Sequence, residues 1–250
     1  MRSNSSSYKE LILLGNLTLE SLDLILYESH KIYDIGMRID SLSRQFIGTP
    51  YQESTLIGDL NTPEVFVINL EAVDCFTFID YIEAMRLSSS FQEFKGNLKR
   101  LRYKGGKVSF LKRNHFFINW IESNSEYIVD VTEQIGGKTT LSSKKILNKK
   151  DDGTHFLPGI PIKDTLIHYI PAKVLNESIL KELRTGDYIG IYSKEKWLDV
   201  SHVGIFIQEG DKTYLRHASS VKKKVVDDDF EEYIIGKPGI IIFRSKDDKS

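Results

Sequence analysis

The order of apolar periodicities along the chain predicts an α+β protein, with helices first and an antiparallel sheet last. Two observations carry that expectation. Apolar residues recur at helical spacing through much of the stretch from Thr18 to Arg102. The last third instead holds short β-rich runs divided by turn residues, and Gln208-Glu209-Gly210-Asp211 suits a hairpin connection between two of them.

Met1 to Glu10 is polar and serine-rich and lacks the basic-then-apolar order of a secretory signal. Leu11 to Leu26, interrupted by Gly15, Asn16, Glu20 and Asp23, reads as a helix of the folded domain. Thr18 caps a run with apolar positions at Leu19, Leu22, Leu26 and Ile32. Ile35 to Ile47 predicts a second helix ending at Gly48, and Gly48-Thr49-Pro50-Tyr51 breaks it because proline biases its predecessor away from helix. Glu64 to Leu70 alternates and is β-branched, so it predicts a strand. Cys75 to Leu87 predicts a buried helix with Asp74 at its N-cap, and Ser90 to Arg102 another helix. Tyr127 to Val131 is strand-like. Residues 136–165 are polar, rich in lysine and threonine, and read as an excursion over the surface; loops of that length usually serve a site. Strands are expected at Gly186 to Tyr192, His202 to Gln208, Thr213 to His217, Val221 to Val226 and Gly239 to Arg244. No internal repeat is evident, and the chain reads as one domain over 1–250, helical to residue 47 with its core from 48 to 250.

The 250 residues are 40% hydrophobic and 28% charged, an ordinary globular balance. The formal charge of −1 argues against a basic nucleic-acid binder. No apolar run approaches the roughly 20 residues of a membrane-spanning helix. One cysteine excludes an intrachain disulfide and a four-cysteine zinc site. His115, His155 and His168 lack the spacing of a zinc motif, and no glycine-rich nucleotide loop or GxSxG elbow occurs, so neither metal nor cofactor is expected.

The chemistry centres on Cys75. A thiol at a helix N-terminus faces orphan N–H groups that favour its anion. Ser201-His202-Val203-Gly204-Ile205 can hold a histidine rigidly at the head of a strand, as Cys–His acyl transfer requires of its base. If residues 208–212 form the hairpin, His217 returns beside His202 and can orient it as the third member of a triad. Lys95 to Arg113 carries many bases and no acid, so it reads either as a solvated face or as a docking surface for an anionic polymer. Arg113, Asn114, His115 and Trp120 suit a sugar–peptide ligand, or equally the anchoring of a loop.

Gly48-Thr49-Pro50-Tyr51, Asp74-Cys75, Ser201-His202-Val203-Gly204-Ile205 and His217-Ala218-Ser219-Ser220, in that order, resemble the signature of NlpC-type cell-wall peptidases. More narrowly, Val67-Ile68-Asn69-Leu70 leading to Asp74-Cys75-Phe76-Thr77-Phe78, with Arg113-Asn114-His115-Phe116-Phe117 and Trp120, is similar to a related N-acetylmuramoyl-L-alanine amidase-like family. The resemblance implies a papain-like fold whose nucleophile helix packs on an antiparallel sheet. It implies Cys75 as nucleophile, His202 as base, His217 as its partner and Tyr51 as an oxyanion donor. Asp74, Arg113, Asn114, His115, Trp120 and Ser201 are then expected around the substrate. The implied reaction is hydrolysis of the amide between N-acetylmuramic acid and L-alanine through a thioester. The alternatives are a γ-D-glutamyl stem-peptide endopeptidase, a silent wall-binding module, or acyl transfer to or from a lipid. Peptidoglycan or a muropeptide is the expected partner and a monomer the expected state. The family points to the periplasm or cell surface if a signal is removed, and otherwise the cytoplasm is the expected location.

Overall fold

The computed structural model describes residues 8–247, so most of the stretch read against a secretory signal lies outside the described residues. Strand β1 (Lys9–Leu13) pairs in parallel with β2 (Val65–Asn69). Leu11 to Leu26 is therefore not one helix. Gly15 turns the chain at φ +64°, a left-handed conformation that costs glycine little, and helix α1 (Leu19–His30) starts only after Thr18. Thr18 accepts from the Ser21 N–H in a capping box, as its place before the apolar run predicts. Asp34 caps α2 (Ile35–Arg44) by accepting from the Met37 N–H.

Helices α3 (Cys75–Arg86) and α4 (Phe91–Arg102) follow β2, capped by Asp74 and Ser90. Two short helices, α5 (Phe117–Ser123) and α6 (Thr132–Gly136), flank strand β3 (Ile128–Asp130). The segment read as a surface excursion differs from that expectation. It holds β4 (Leu141–Leu147), antiparallel to β5 (Lys163–Pro171), so the connecting loop is only 148–162. The polar composition hid a strand because β4 lies at a sheet edge with one face to solvent. Its Lys145 is nevertheless buried, its ammonium held by the carbonyls of Ser193 and Glu195.

After the short helix α7 (Glu177–Leu180) come β6 (Tyr188–Tyr192), β7 (Val200–Glu209), β8 (Lys212–Ser219) and β9 (Lys224–Asp229). Helix α8 (Phe230–Ile234) and strand β10 (Gly239–Ser245) complete the chain. The sheet order is β4-β5-β10-β6-β7-β8-β9, with β3 alongside β10, and its pairings are antiparallel. The fold is thus mixed, helices packed on an antiparallel sheet.

Helix α3 is the central element. Phe78, Ile79, Tyr81 and Ile82 are fully buried, and the helix packs on β7 and β8. Its polar positions are also internal. Glu83 takes hydrogen bonds from Arg86, Tyr188 and Ser245, tying the helix to β6 and β10. Buried pairs are costly to break because the surviving charge keeps its desolvation penalty. Glu83→Ala is expected to lower unfolding stability by about 3–5 kcal/mol in urea titrations.

Candidate active site

Cys75 is the first residue of α3, and the Asp74 carboxylate caps that helix by accepting from the Phe76 and Thr77 N–H groups at 3.0 and 2.7 Å. The backbone N–H groups of Val203, Cys75 and Phe76 act on the sulfur in favour of its anion. Val203 is the residue after His202 on β7, so folding brings the thiol to the histidine strand. The expected low thiol pKa does not follow. Burial, with the Asp74 carboxylate beside it, outweighs those N–H groups and pushes the thiol up to about 12. The resting sulfur is protonated at neutral pH.

His202 and His217 face each other across the β7–β8 hairpin. His202 Nε2 lies 2.7 Å from His217 Nδ1, with the rings at 89°. His217 Nε2 in turn lies 3.0 Å from Asp228 Oδ2 on β9. Asp228 was not anticipated from the sequence. Burial raises its carboxyl, but hydrogen bonds from Lys222 and His217 outweigh that and hold it below the usual range. An ionised carboxylate only accepts, so His217 Nε2 carries the proton and Nδ1 is a lone pair. His202 Nε2 then donates to it, which leaves His202 Nδ1 as the free base. Burial and the neighbouring His217 push His202 down to about 3, so it is neutral and able to accept. No hydrogen bond joins the sulfur to either imidazole among the described residues.

Local structure explains this placement. β7 carries a bulge at Ser201, between the pairs Tyr192↔Val200 and Ile191↔His202, and bulges re-aim neighbouring side chains. Ser201 itself is exposed, with its hydroxyl 3.4 Å from the Ile191 carbonyl. Gly204 admits the crossing strand: a Cβ there would stand 3.0 Å from both the Arg216 carbonyl and His217 Cβ. Tyr51 arrives through a segment clamped on both sides. Its N–H donates to Lys223, while Val73 donates to Pro50. Its phenol is pushed up to about 12, by burial first and then by Cys75, Glu53 and Asp74, so it stays a proton donor near the thiol. Tyr233 of α8 closes the other side, its ring 4.9 Å from His217 and 6.3 Å from His202.

The expected substrate cluster divides. Trp120 is fully buried and donates to Asp80, and Asn114 spans the Leu101 carbonyl and Ser123, so both hold structure together. Arg113 is engaged by Glu64 through Nε and Nη2. His115 bonds the Phe110 carbonyl at 2.8 Å, and burial pushes it down to about 4. Arg113, Asn114 and His115 nonetheless line a cavity that Asp74 also lines. No group of three or more His, Cys, Asp or Glu that could hold a metal is found among the described residues.

Three histidines with depressed pKa values, His115, His202 and His217, set an acid limit on stability. Each binds its proton more readily unfolded, so its contribution is complete above the ordinary value of about 6.5 and drains away as pH falls towards 4 and below. The urea midpoint is expected to fall between pH 7 and pH 4.5, and to fall less in His202→Asn.

Residues 41–240 match the model of the AmiA-like family, described as N-acetylmuramoyl-L-alanine amidase-like. The chain belongs to that family. AmiA-like membership makes it a member of an amidase-like hydrolase family associated with the cell wall. Solved structures agree with the fold. A DUF1460 protein of Legionella pneumophila is 25% identical with TM-score 0.78, covering 91% of this chain and 94% of that one. An N-acetylmuramoyl-L-alanine amidase of Bacteroides uniformis is 26% identical with TM-score 0.73, covering 85% and 99%. A putative xylanase of Bacteroides fragilis is 28% identical with TM-score 0.69, covering 82% and 99%. No curated protein matches this AmiA-like chain.

Proposed function

We propose that this AmiA-like chain is a cysteine-dependent peptidoglycan hydrolase of papain-like, NlpC-type architecture. It cuts the amide between N-acetylmuramic acid and L-alanine. The observation that carries the reading is the relay His202–His217–Asp228 on consecutive strands, beside the strand position that faces Cys75. A structural core has no need of two imidazoles and a carboxylate in series, whereas a general base needs its tautomer fixed.

In the mechanism, the muramoyl lactyl carbonyl meets Cys75. His202 Nδ1 takes the thiol proton as sulfur attacks, since neither group is ionised at rest. The N–H groups at the start of α3, with the Tyr51 hydroxyl, receive the negative charge that develops on the carbonyl oxygen; one such donor typically contributes about 3 kcal/mol. The imidazolium, shared through His217 with Asp228, returns the proton to the alanine nitrogen as the C–N bond breaks. Water then adds to the thioester, with His202 again as base, and frees the muramoyl carboxylate and Cys75.

A defined N-acetylmuramoyl pentapeptide, incubated with the protein and analysed by mass spectrometry, tests the bond assignment. The expected product is the peptide with a free L-alanine N-terminus. Release of a fragment beginning after the γ-D-glutamyl residue would assign the chain to stem-peptide endopeptidases instead. An intact substrate would refute both readings.

A further inference from the structure

The hydrogen-bonded series on β7, β8 and β9 does not end at Asp228. Asp228 Oδ2 serves His217 Nε2, and Oδ1 accepts from the Lys222 ammonium, so both carboxylate oxygens are engaged and the plane of the group is fixed. Lys222 lies in the turn between β8 and β9, and that turn is itself held. The Lys222 backbone N–H donates to Ser219 Oγ at 3.1 Å, and Lys223 adopts a left-handed φ of +58°. The Lys223 carbonyl takes the Tyr51 N–H at 2.9 Å. One short turn therefore carries both the cation on Asp228 and the backbone support of Tyr51.

The charges around Asp228 explain the need for a cation. The carboxylate borders a cleft lined by Lys222, Asp227, Asp228, Asp229, Glu232 and Tyr233. Asp227 is taken up by Arg216, and Asp229 accepts from the Glu232 N–H as the cap of α8. From β8, His217 faces Asp228 as a neutral donor; from α8, Glu232 brings a further carboxylate and Tyr233 a neutral phenol. Lys237 acts on His202 rather than on Asp228. Among the described residues, Lys222 is the one lysine or arginine paired with Asp228. The Lys222 side chain is 55% exposed, and exposed pairs add little to folding stability. What the contact fixes is the direction of the carboxylate.

We propose that Lys222 is a positioning residue of the hydrolysis, holding one oxygen of Asp228 so that the other stays on His217 Nε2 and His202 Nδ1 stays free as the base. The assignment rests on the cysteine-amidase reading and extends its relay to a fourth member. The same contact bears on acid tolerance. Burial raises the Asp228 carboxyl, and hydrogen bonds from Lys222 and His217 outweigh it. Burial first, and the Lys222 charge with it, disfavour a second proton on His217 against the pull of Asp228. Protonation of either group breaks the relay. Without Lys222 both take up a proton at higher pH, so the acid limb of kcat/KM moves upward.

The test is steady-state hydrolysis of N-acetylmuramoyl-L-alanyl-D-isoglutamine by the full chain carrying Lys222→Met or Lys222→Arg. Lys222→Met is expected to lower kcat about tenfold with KM unchanged, the low end of what orienting partners of a working imidazole supply. Its acid limb is expected at higher pH than in wild-type protein. Lys222→Arg is expected to keep most of the wild-type kcat, and both variants to keep the wild-type urea midpoint. In an Asp228→Asn background, Lys222→Met is expected to cost nothing further, because it acts through that carboxylate. Wild-type kcat in Lys222→Met, a loss carried by KM alone, or a full further loss in the Asp228→Asn background would each overturn the positioning role and leave the amidase reading standing. Failure of wild-type protein to hydrolyse the substrate would overturn both.

Discussion

Replacing Cys75 with alanine is expected to lower muropeptide hydrolysis by at least about 10⁴-fold, with the far-UV circular dichroism and the urea midpoint nearly unchanged. The magnitude follows from the chemistry. Without sulfur there is no acyl-enzyme, and only binding and the oxyanion donors remain to assist a water. The fold is expected to survive because Cys75 sits at the margin of the core, whereas Phe78, Ile79 and Ile82 of the same helix are fully buried. Removing one small sulfur atom there opens little cavity.

His202→Ala is expected to lose activity by at least about 10³-fold, and the double variant with Cys75→Ala to lose no more than Cys75→Ala alone, because the two act as one unit. The relay adds a graded expectation. Asp228→Asn removes the anion that fixes the His217 tautomer, and an amide there offers either a donor or an acceptor to the ring. A loss of about 10–100-fold is expected, by analogy with the effect of partners that orient a working imidazole. The pH profile separates a base from a scaffold. Burial and His217 hold His202 down to about 3, so kcat/KM in the wild-type protein shows no acid limb near the ordinary histidine value of about 6.5. An acid limb at 6.5 would place the base elsewhere.

Much of this site is legible in the residues, and the reasons for the rest are physical. Cys75 can be read because an N-cap precedes an uninterrupted apolar helix, and His202 and His217 because a short hairpin fixes their separation. Asp228 could not be read from Val225-Val226-Asp227-Asp228-Asp229. Three consecutive acids fit equally well, and only the β8–β9 register, which pairs His217 with Val226, sets Asp228 diagonally beside the ring. Asp227 goes instead to the buried Arg216. The cluster Arg113 to Trp120 reads as ligand-facing by residue type, yet the carbonyls and carboxylates that hold Arg113, Asn114 and Trp120 lie on the segment before β2, α4 and α3. Sequence spacing does not encode those partners. The thiol pKa departs from the helix-terminus expectation for a related reason. A helix N-terminus is visible in sequence, and is worth about 0.3–2 kcal/mol to an anion, whereas the burial that overrides it appears only in the fold.

The fold shows the same division. Elements with strong periodicity or a cap lie within a few residues of where they were expected. Strand β1 was missed because an apolar run interrupted at Gly15 fits a strand followed by a helix as well as it fits one helix. Strand β4 was missed because its alternation is lysine and serine against a few buried residues, Lys145 among them.

The central claim is that acyl transfer passes through Cys75 sulfur. Its most direct test is an acid quench of the protein during turnover of N-acetylmuramoyl-L-alanyl-D-isoglutamine, followed by intact-mass measurement and peptide mapping. The account predicts a mass gain equal to the muramoyl acyl group on the peptide that contains Cys75, alongside a released peptide with L-alanine at its N-terminus. Wild-type protein with no adduct, together with undiminished release by Cys75→Ala, would contradict it.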